Sequence, residues 1–375
     1  MEVSVLGVQP KYFIRPNNTD WRHNVFLENS FSPECMHFDN TINYSSRHSI
    51  RACLAMNARH LRGTLGNYFP IFLENKSEYY QVSLFKEDKA DKFDVIYSYG
   101  CYPKNSPKPV VWHTGPTYVE VLKSRKIKHE LIEDEIACKA RCAEKASLIA
   151  VSSDIAATDF DIQFPGHKNK IVVLPFVLPG VKAQSADFIQ TKHRNTPINI
   201  LFVGRESRRK GLDLLLQAYE RLRLTAKESM TLTIVSDFSD GPISLPKFPD
   251  VKWHQSLEND KVQELMQMAH IFAMPSRQES FGLVYLEAMA AGAVCIGPVR
   301  EPQISILGNG RFGLPCEVTV EGVFDALSTL ISNHELREKM ALESVWKFKS
   351  SYALEAVLSS YKAAFLRAAG QTSNI

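Results

Sequence analysis

Two short segments in the second half of this 375-residue sequence carry side chains suited to a negatively charged ligand that bears hydroxyl groups. The first, FVGRESRRKG, spans Phe202–Gly211 and places four basic residues between an apolar run and a helical pattern. Backbone N–H groups at a helix N-terminus favour an anion. Arg205 would add a bidentate guanidinium and Lys210 a point charge, so the segment suits a diphosphate. A solvated basic loop is the alternative that this segment alone leaves open.

The second segment, MPSRQESFGLVYLEAMAAG, spans Met274–Gly292 and predicts a strand, a loop and a helix. The helical part is apolar or small at every position except Tyr285 and Glu287, which is typical of a buried helix. A carboxylate there needs a partner. The vicinal diol of a ribose would supply two O–H donors, and a buried Arg or Lys is the alternative. Glu279, eight residues earlier, lies in the loop before the helix, where it can reach a hydroxylated ligand.

The elements that must position these segments alternate between short apolar runs and helical patterns, which predicts an α/β fold with parallel sheets. The predicted strands are Val3–Val8, Phe93–Ser98, Pro109–Trp112, Ser147–Val151, Ile171–Leu174, Ile198–Val203, Leu232–Ser236, Ile271–Met274 and Ala293–Ile296. The predicted helices are Ser49–Leu61, Ile132–Ala146, one that begins near Lys210, and a helical tail His334–Ala369 with a break at Ser350–Ser351. Both chemical segments follow strands of one domain, and open α/β sheets bind ligands at the carboxyl ends of their strands.

The length exceeds what one hydrophobic core usually fills, so two doubly wound domains facing each other across a cleft are expected. The segment Pro179–Pro197 is polar with a proline at each end, which indicates a linker. The expected organisation is an N-terminal domain over residues 1–178, a linker over 179–197, a ligand-binding domain over 198–350 and a C-terminal helix over 351–375.

The composition argues against several classes of function. A net charge of +3 from 44 basic and 41 acidic residues does not suit a nucleic-acid binder. Seven scattered cysteines without a Cys-x-x-Cys pair are expected to be reduced, in a cytoplasmic protein. The N-terminus lacks the features of a signal peptide, and no run reaches the ~20 apolar residues that span a bilayer. The basic run Lys123–His129 is expected to be a solvated face, with peripheral contact to an anionic membrane or an acidic acceptor as the alternative.

Together, the two segments resemble a known family. ESFGLVYLE, Glu279–Glu287, resembles the Glu-x7-Glu signature of retaining glycosyltransferases of family 4, and GRESRRKG, Gly204–Gly211, resembles their diphosphate loop. The resemblance covers nearly all of residues 198–315. It extends more weakly into the first half through FDVIYSYG, VVWHTGPT, SLIAVSSD and IVVLPFVL, which follow the family's order. The sequence departs from the family after the first strand, where QPKYFIRPNNTDW replaces the common Gly-Gly loop.

The resemblance implies a GT-B architecture, with a C-terminal helix that crosses back to the first domain. It implies that Arg205 and Lys210 bind the donor diphosphate and stabilise it as the leaving group. Glu279 would contact the hydroxyls of the donor sugar, and Glu287 would hold the ribose. The other implied donor-binding residues are Gly204, Phe281, Gly282 and Leu283, the last three through backbone N–H groups.

Two further positions are less specific. His113, at the end of a first-half strand, would face the donor sugar across the cleft; a structural role as a hydrogen bonder is the alternative. The pocket for the base of the donor nucleotide would lie near Trp253–Leu257.

The implied activity is transfer of a hexose from a UDP- or GDP-sugar to a hydroxyl acceptor, which could be a sugar, a lipid-linked sugar or a small molecule. No cofactor or metal is expected, because the metal-binding Asp-x-Asp pattern occurs only as Asp159-Phe160-Asp161, in a predicted loop remote from the donor motifs. The alternatives are an epimerase or phosphorylase of the same fold, or an inactive nucleotide-sugar-binding protein. A dehydrogenase is not indicated, because the first strand leads into Gly7-Val8-Gln9 and not into a Gly-x-Gly-x-x-Gly turn.

Overall fold

The chain forms two α/β units, each built around a parallel sheet. The computed structural model describes residues 5–8, 36–39, 81–82, 93–99, 102–103, 106–115, 129–178, 180–238, 240–241, 243–246, 248–279 and 281–370. The N-terminal unit comprises Met1–Pro179 together with Val357–Ile375, and the C-terminal unit comprises Gly180–Ala356. The predicted α/β class with parallel sheets in two domains is confirmed.

The described part of the N-terminal unit contains a six-stranded parallel sheet in the order β2-β1-β4-β6-β7-β8. Its strands are β1 Val5–Val8, β2 Met36–Asp39, β4 Val95–Tyr99, β6 Val110–His113, β7 Leu148–Val151 and β8 Ile171–Val173, and a separate ribbon pairs β3 Gln81–Val82 with β5 Tyr102–Pro103. Helices α1 His129–Lys145 and α2 Asp154–Gln163 belong to this unit. Trp112, Ile149 and Phe160 lie in one buried cluster with Cys138 and Cys142 of α1.

The C-terminal unit contains a second parallel sheet in the order β11-β10-β9-β12-β13-β14. Its strands are β9 Ile198–Val203, β10 Met230–Val235, β11 Val251–His254, β12 Ile271–Ala273, β13 Val294–Pro298 and β14 Gly313–Cys316. Its helices are α3 Ala186–Arg194, α4 Leu212–Thr225, α5 Asn259–Met268, α6 Leu283–Ala290, α7 Gln303–Ile306, α8 Val320–Ser332 and α9 His334–Ser351. The strand order reverses between β9 and β12, and doubly wound sheets bind ligands at such a switch point.

The C-terminal tail follows the expected helical pattern. Helix α9 ends at Ser351 and α10 spans Leu354–Ala368, so the break lies at Tyr352–Ala353, directly after the predicted Ser350–Ser351. Within α10, Tyr361 and Phe365 are buried, and both rings contact Tyr97 of β4 edge to face. The end of the chain is therefore part of the N-terminal unit.

All nine predicted strands overlap observed strands, whereas five short or polar strands escaped prediction. The missed strands are β2, β3, β5, β11 and β14. Strand β11 lies at the edge of its sheet with only partly buried or exposed residues, so it lacks the apolar run that identifies a central strand. Strand β14, GLPC, contains a glycine and a proline, which weaken strand propensity. The predicted helix Ser49–Leu61 lies outside the described residues.

Two local predictions were wrong. The polar segment assigned to a linker contains α3, whose N-cap Ser185 accepts a hydrogen bond from the N–H of Phe188 and whose Ile189 is fully buried. Its polar composition hid this one buried face. Asp159 and Asp161 lie on α2 and not in a loop.

The described residues contain no helix long and apolar enough to cross a membrane. Cys138, Cys142, Cys295 and Cys316 are buried thiols that form no disulfide bond. In the same part of the chain, no group of three or more His, Cys, Asp or Glu side chains is arranged to hold a metal ion.

Candidate functional site

The two chemical segments meet at the switch point of the second sheet. One follows β9 and the other follows β12, and these strands are paired neighbours. Gly211, at the start of α4, has φ +79°, and a Cβ atom there would lie 2.2 Å from the carbonyl oxygen of Pro275. The N–H of Arg277 donates to the carbonyl of Arg209 at 2.8 Å. Close backbone approach therefore joins the two loops, and only glycine fits at position 211.

Lys210 and Glu279 form an ion pair between these loops. Their side chains are only 12% and 8% exposed. The Lys210 side chain packs against Gly204, because a Cβ atom at position 204 would lie only 3.2 Å from Lys210 Cγ. Burial lowers the pKa of Lys210 to about 8; the charge of Arg209 lowers it further and that of Glu206 opposes the shift. A weakly solvated ammonium held at a helix start is suited to an anionic ligand.

Arg205 has a different setting from Lys210. Its side chain is 81% exposed, and its Nε lies 3.6 Å from Oδ2 of Asp237, in the loop after β10. Lys210 and Glu279 are thus in contact with each other, while the guanidinium of Arg205 extends into solvent beside Asp237.

Asp240, Arg209 and Arg277 make the contacts that hold the two loops, although none of them was singled out from the sequence as a site residue. Asp240 accepts hydrogen bonds from the Ser207 hydroxyl at 3.0 Å and from the Arg209 N–H at 2.8 Å. The guanidinium of Arg209 donates to Glu206 and, at 2.6 Å, to the carbonyl of Gln278. The basic residues of the first loop were visible as a charge run, but their partners lie 31 and 69 positions away.

Arg277 joins the second loop to helix α4. Its guanidinium forms a bidentate pair with Asp213 at 2.7 and 2.8 Å. In the first loop, Nε and Nη2 of Arg209 both donate to Oε2 of Glu206. Together with the Lys210–Glu279 pair, these contacts form ion pairs between basic and acidic side chains at the two loops.

The N-terminus of α6 is formed by backbone groups. Its N-cap Gly282 has φ +87° and offers no side chain to cap the helix. A Cβ atom at Gly282 would lie 2.7 Å from Cδ2 of Tyr285, so this turn also requires glycine. Phe281 and Gly282 are buried and Leu283 is partly buried. The first N–H groups of a helix without a side-chain cap can bind a phosphate or a hydroxyl.

Glu287 lies one turn further along α6 and is partly buried, less than its position on an apolar helix predicted. At the other end of the helix, the Lys192 ammonium donates to the carbonyl of Ala291, and Nε2 of His193 contacts the carbonyl of Gly292, each at 2.8 Å. Burial lowers the pKa of Lys192 to about 7. A cation at the C-terminus and an anion at the N-terminus both complement the helix dipole.

Two aromatic rings stack near the carboxyl ends of β10 and β11. Trp253 of β11 and Phe238, in the loop after β10, are nearly parallel at 8°, with centroids 5.1 Å apart. The indole N–H of Trp253 donates to the carbonyl of Ser236 at 2.9 Å, which fixes the ring, yet the residue remains 42% exposed. Trp253 itself lies within the segment where the base pocket was expected.

His113 lies in the N-terminal unit and is fully buried. Its Nδ1 lies 2.7 Å from the Tyr97 hydroxyl, and its Nε2 lies 3.2 Å from the Ser152 hydroxyl. The ring stacks on Phe176 at 6.1 Å, and the Tyr361 hydroxyl lies 3.4 Å from Nδ1. Burial lowers the pKa of His113 to about 3, so the imidazole is neutral.

A cavity of about 470 Å³ lies at the amino ends of β9 and β12, away from the two loops. His270 lines it, but its Nδ1 accepts from the N–H of Asn199 and its Nε2 lies 2.7 Å from the carbonyl of Lys192. The side chain of Asn199 is also hydrogen-bonded, to Met268 and Thr231. Because these polar groups already have partners, the cavity offers less for ligand recognition than the two loops.

Residues 184–344 match the protein family described as Glycosyl transferases group 1. The match contains both loops, the Lys210–Glu279 pair and Glu287. These residues form a group 1 glycosyltransferase domain. This domain places the sequence motifs at the switch point of the second sheet.

Curated relatives share this domain with the chain. N-acetyl-alpha-D-glucosaminyl L-malate synthase of Bacillus anthracis is 37% identical over 109 residues, which are 28% of this chain and 28% of the relative. D-inositol 3-phosphate glycosyltransferase of Corynebacterium urealyticum is 26% identical over 238 residues, 57% of this chain and 55% of the relative. The chain thus spans about a quarter to a half of the length of these relatives.

Solved structures match along almost the whole chain. Sucrose-phosphate synthase of Thermosynechococcus elongatus superposes with a TM-score of 0.62 at 13% identity, covering 97% of this chain and 98% of the other. HepE of Anabaena, in complex with UDP-glucose, superposes with a TM-score of 0.61 at 14% identity, covering 98% and 100%. The fold of the group 1 domain and its N-terminal neighbour is that of GT-B glycosyltransferases.

Proposed function

We propose that this protein is a retaining glycosyltransferase that moves a hexose from a nucleoside-diphosphate sugar to an acceptor hydroxyl. The observation that carries the proposal is the weakly exposed Lys210–Glu279 pair at the switch point of the group 1 domain. A cation and a carboxylate side by side match a ligand in which a diphosphate is joined to a hydroxyl-bearing ring.

Each group has a role in this proposal. Lys210 and Arg205 bind the diphosphate, and the N–H groups at the start of α6 contact phosphate and sugar. Glu279 accepts a hydrogen bond from a sugar hydroxyl, and Glu287 accepts hydrogen bonds from the ribose. Once the donor is bound, these charges and dipoles face the phosphates, so they stabilise negative charge on the departing phosphate during the chemical step.

The proposed chemical step keeps the anomeric configuration. The bond between the anomeric carbon and the phosphate oxygen breaks while the acceptor oxygen bonds to the same face of that carbon. The departing phosphate accepts the proton of the acceptor hydroxyl. Because the acceptor oxygen attacks the anomeric carbon directly, no covalent enzyme intermediate forms. No metal takes part, because Lys210 and Arg205 neutralise the charge of the phosphates.

Donor binding exchanges partners within the site. In the structure the Lys210 ammonium is paired with Glu279. A bound diphosphate takes over Lys210, and the Glu279 carboxylate is then available to a sugar hydroxyl. Both charges keep a partner through the exchange, which avoids the cost of an unpaired charge in a weakly solvated site.

UDP-glucose is the first donor to test, because the HepE structure contains it and the stacked pair Trp253–Phe238 offers an aromatic surface where a base is expected. GDP-sugars are the second choice. We further propose that residues 1–178 form the acceptor side and residues 198–350 the donor side, and that the acceptor is a sugar, a lipid-linked sugar or a small molecule met in the cytoplasm or at a membrane surface.

A thermal-shift panel of UDP, GDP and their sugars tests the donor. A ligand at 100 times its Kd adds about 2.7 kcal/mol of stability, which is readily measured. Incubation of the stabilising donor with a mixture of acceptors, followed by NMR of the anomeric coupling, tests transfer and retention. An inverted product would contradict retention. Sugar phosphate formed from glycogen-like chains would indicate a phosphorylase, a donor changed without an acceptor an epimerase, and binding without turnover an inactive binding protein.

A further inference from the structure

Gln303, the first residue of α7, is fully buried and contacts the turn that starts α6. Its Nε2 donates to the carbonyl oxygen of Phe281 at 2.9 Å. Its Oε1 has no hydrogen-bond partner among the residues that the structure describes. Half of this buried amide is therefore satisfied and half is not.

Stability alone does not account for an amide at position 303. A buried acceptor without a partner destabilises the folded protein, and an apolar side chain of similar shape would avoid that cost. Rotating the amide does not help, because Oε1 would then face the carbonyl oxygen of Phe281, which is also an acceptor. The group that Gln303 contributes is its N–H to Phe281. Buried polar groups that violate packing rules are concentrated at functional sites.

The hydrogen bond acts on the backbone group that the donor site needs. The Phe281–Gly282 peptide bond is not among the cis bonds of the chain, and in a trans peptide the C=O and N–H point in opposite directions within one plane. Holding the Phe281 carbonyl against Gln303 therefore directs the Gly282 N–H away from α7. Gly282 is the N-cap of α6 and has a φ of +87°. Because glycine has no side chain, the orientation of this peptide plane depends on the contacts of its neighbours.

We propose that Gln303 is a positioning residue: by binding the Phe281 carbonyl it orients the Gly282 N–H toward the diphosphate of the donor. The inference rests on the proposed function for the identity of the anion. It assigns Gln303 no contact with the substrate.

Two substitutions separate this role from packing. Gln303→Met keeps the length of the side chain and removes the N–H and the unsatisfied oxygen. It is expected to keep or raise the Tm, while weakening the binding of inorganic pyrophosphate and lowering kcat/KM for the donor about 10–100-fold, as loss of an outer hydrogen-bond partner does. Ser305→Ala is the matched control: Ser305 is on the same helix, exposed, and hydrogen-bonded to Glu301.

Gln303→Glu adds a pH readout that packing would not produce. When protonated, its carboxyl group can donate to the Phe281 carbonyl; when ionised, it repels that oxygen. The ratio of its pyrophosphate affinity to that of the wild type is expected to fall as the pH rises, while the ratio for Gln303→Met stays flat.

Pyrophosphate binding keeps this test independent of turnover. A wild type that binds pyrophosphate but transfers no sugar would reject the proposed function and leave the affinity ratios to decide the role of Gln303. A folded Gln303→Met with wild-type pyrophosphate affinity, or a flat ratio for Gln303→Glu, would overturn the positioning role.

Discussion

The Lys210 ammonium and the Glu279 carboxylate are paired across the two loops that end β9 and β12, and both are largely shielded from water. An ion pair on a protein surface contributes little to stability, and a shielded one must offset its own desolvation. Its position at the switch point fits the proposed donor, which would separate the two charges. In that proposal the pair joins the cation for the phosphate to the carboxylate for the sugar.

Replacing Lys210 with alanine is expected to lower kcat and kcat/KM together, with only a modest rise in KM. The charge acts mainly on the departing phosphate, and loss of one such preorganised group typically costs on the order of 10²–10³ in rate. Steady-state kinetics with the identified donor measures the effect. Arg205→Ala, measured alongside, should combine with it less than additively, because both charges serve one leaving group. Near-wild-type kcat in both single variants would leave the first loop as a solvated basic surface.

The pH profile of kcat/KM is expected to fall above about pH 8. Burial lowers the pKa of Lys210 to about 8. In the proposed mechanism the protonated form binds the diphosphate, so this charge is lost as the pH rises past that value. Lys210→Arg should move the falling limb to higher pH, because a guanidinium stays charged. An unchanged limb in Lys210→Arg would assign the ionisation to another group.

Glu279→Gln is expected to separate binding of the nucleotide from transfer of the sugar. Without the carboxylate, UDP or GDP no longer competes with Glu279 for Lys210, so its affinity should be maintained or rise. The sugar hydroxyl loses its charged acceptor, so kcat/KM for the sugar donor should fall. Calorimetry with the nucleotide and kinetics with the donor measure the two effects. Parallel losses of both would contradict the exchange of partners.

Glu287→Gln tests the carboxylate assigned to the ribose. The amide keeps the shape of the side chain and removes its charge, and Glu287 is only partly buried, so the Tm should change little. Affinity for the ribonucleotide should fall, and affinity for its 2′-deoxy analogue should fall less, since that ligand has lost one of the two hydroxyls. Wild-type affinity combined with a much lower Tm would identify Glu287 as a structural residue.

The stability of the N-terminal unit is expected to decrease as the pH falls from about 6.5 toward 3. Burial lowers the pKa of His113 from 6.5 to about 3, so within this range the unfolded chain takes up a proton that the folded protein does not. One such group changes the free energy of unfolding by up to about 1.4 kcal/mol per pH unit. Urea denaturation at pH 7, 5.5 and 4 should show a flatter dependence for His113→Gln than for the control His167→Gln. Equal slopes would contradict a neutral buried imidazole.

Local patterns were sufficient for much of the architecture. Central strands such as β9 are nearly continuous apolar runs because both faces of a parallel sheet are covered, and β9 spans the predicted residues Ile198–Val203. The two loops could be placed at strand ends because they interrupt such runs with charge and glycine. Edge strand β11 could not be found, since its partly exposed residues carry no such pattern.

The contacts that make the site were decided by the tertiary structure. Lys210 and Glu279 are 69 positions apart, and they meet because β9 and β12 are neighbours in the sheet, which no local pattern specifies. The tertiary structure also brings Gln303 into contact with Phe281. It buries one face of α3, which lies in a segment whose polar composition suggested a linker. Residue types and spacing determined which groups are available for binding the proposed nucleotide sugar. Strand order and burial determined which of them are in contact, because hydrogen bonds and ion pairs depend on distance in space and not on distance along the chain.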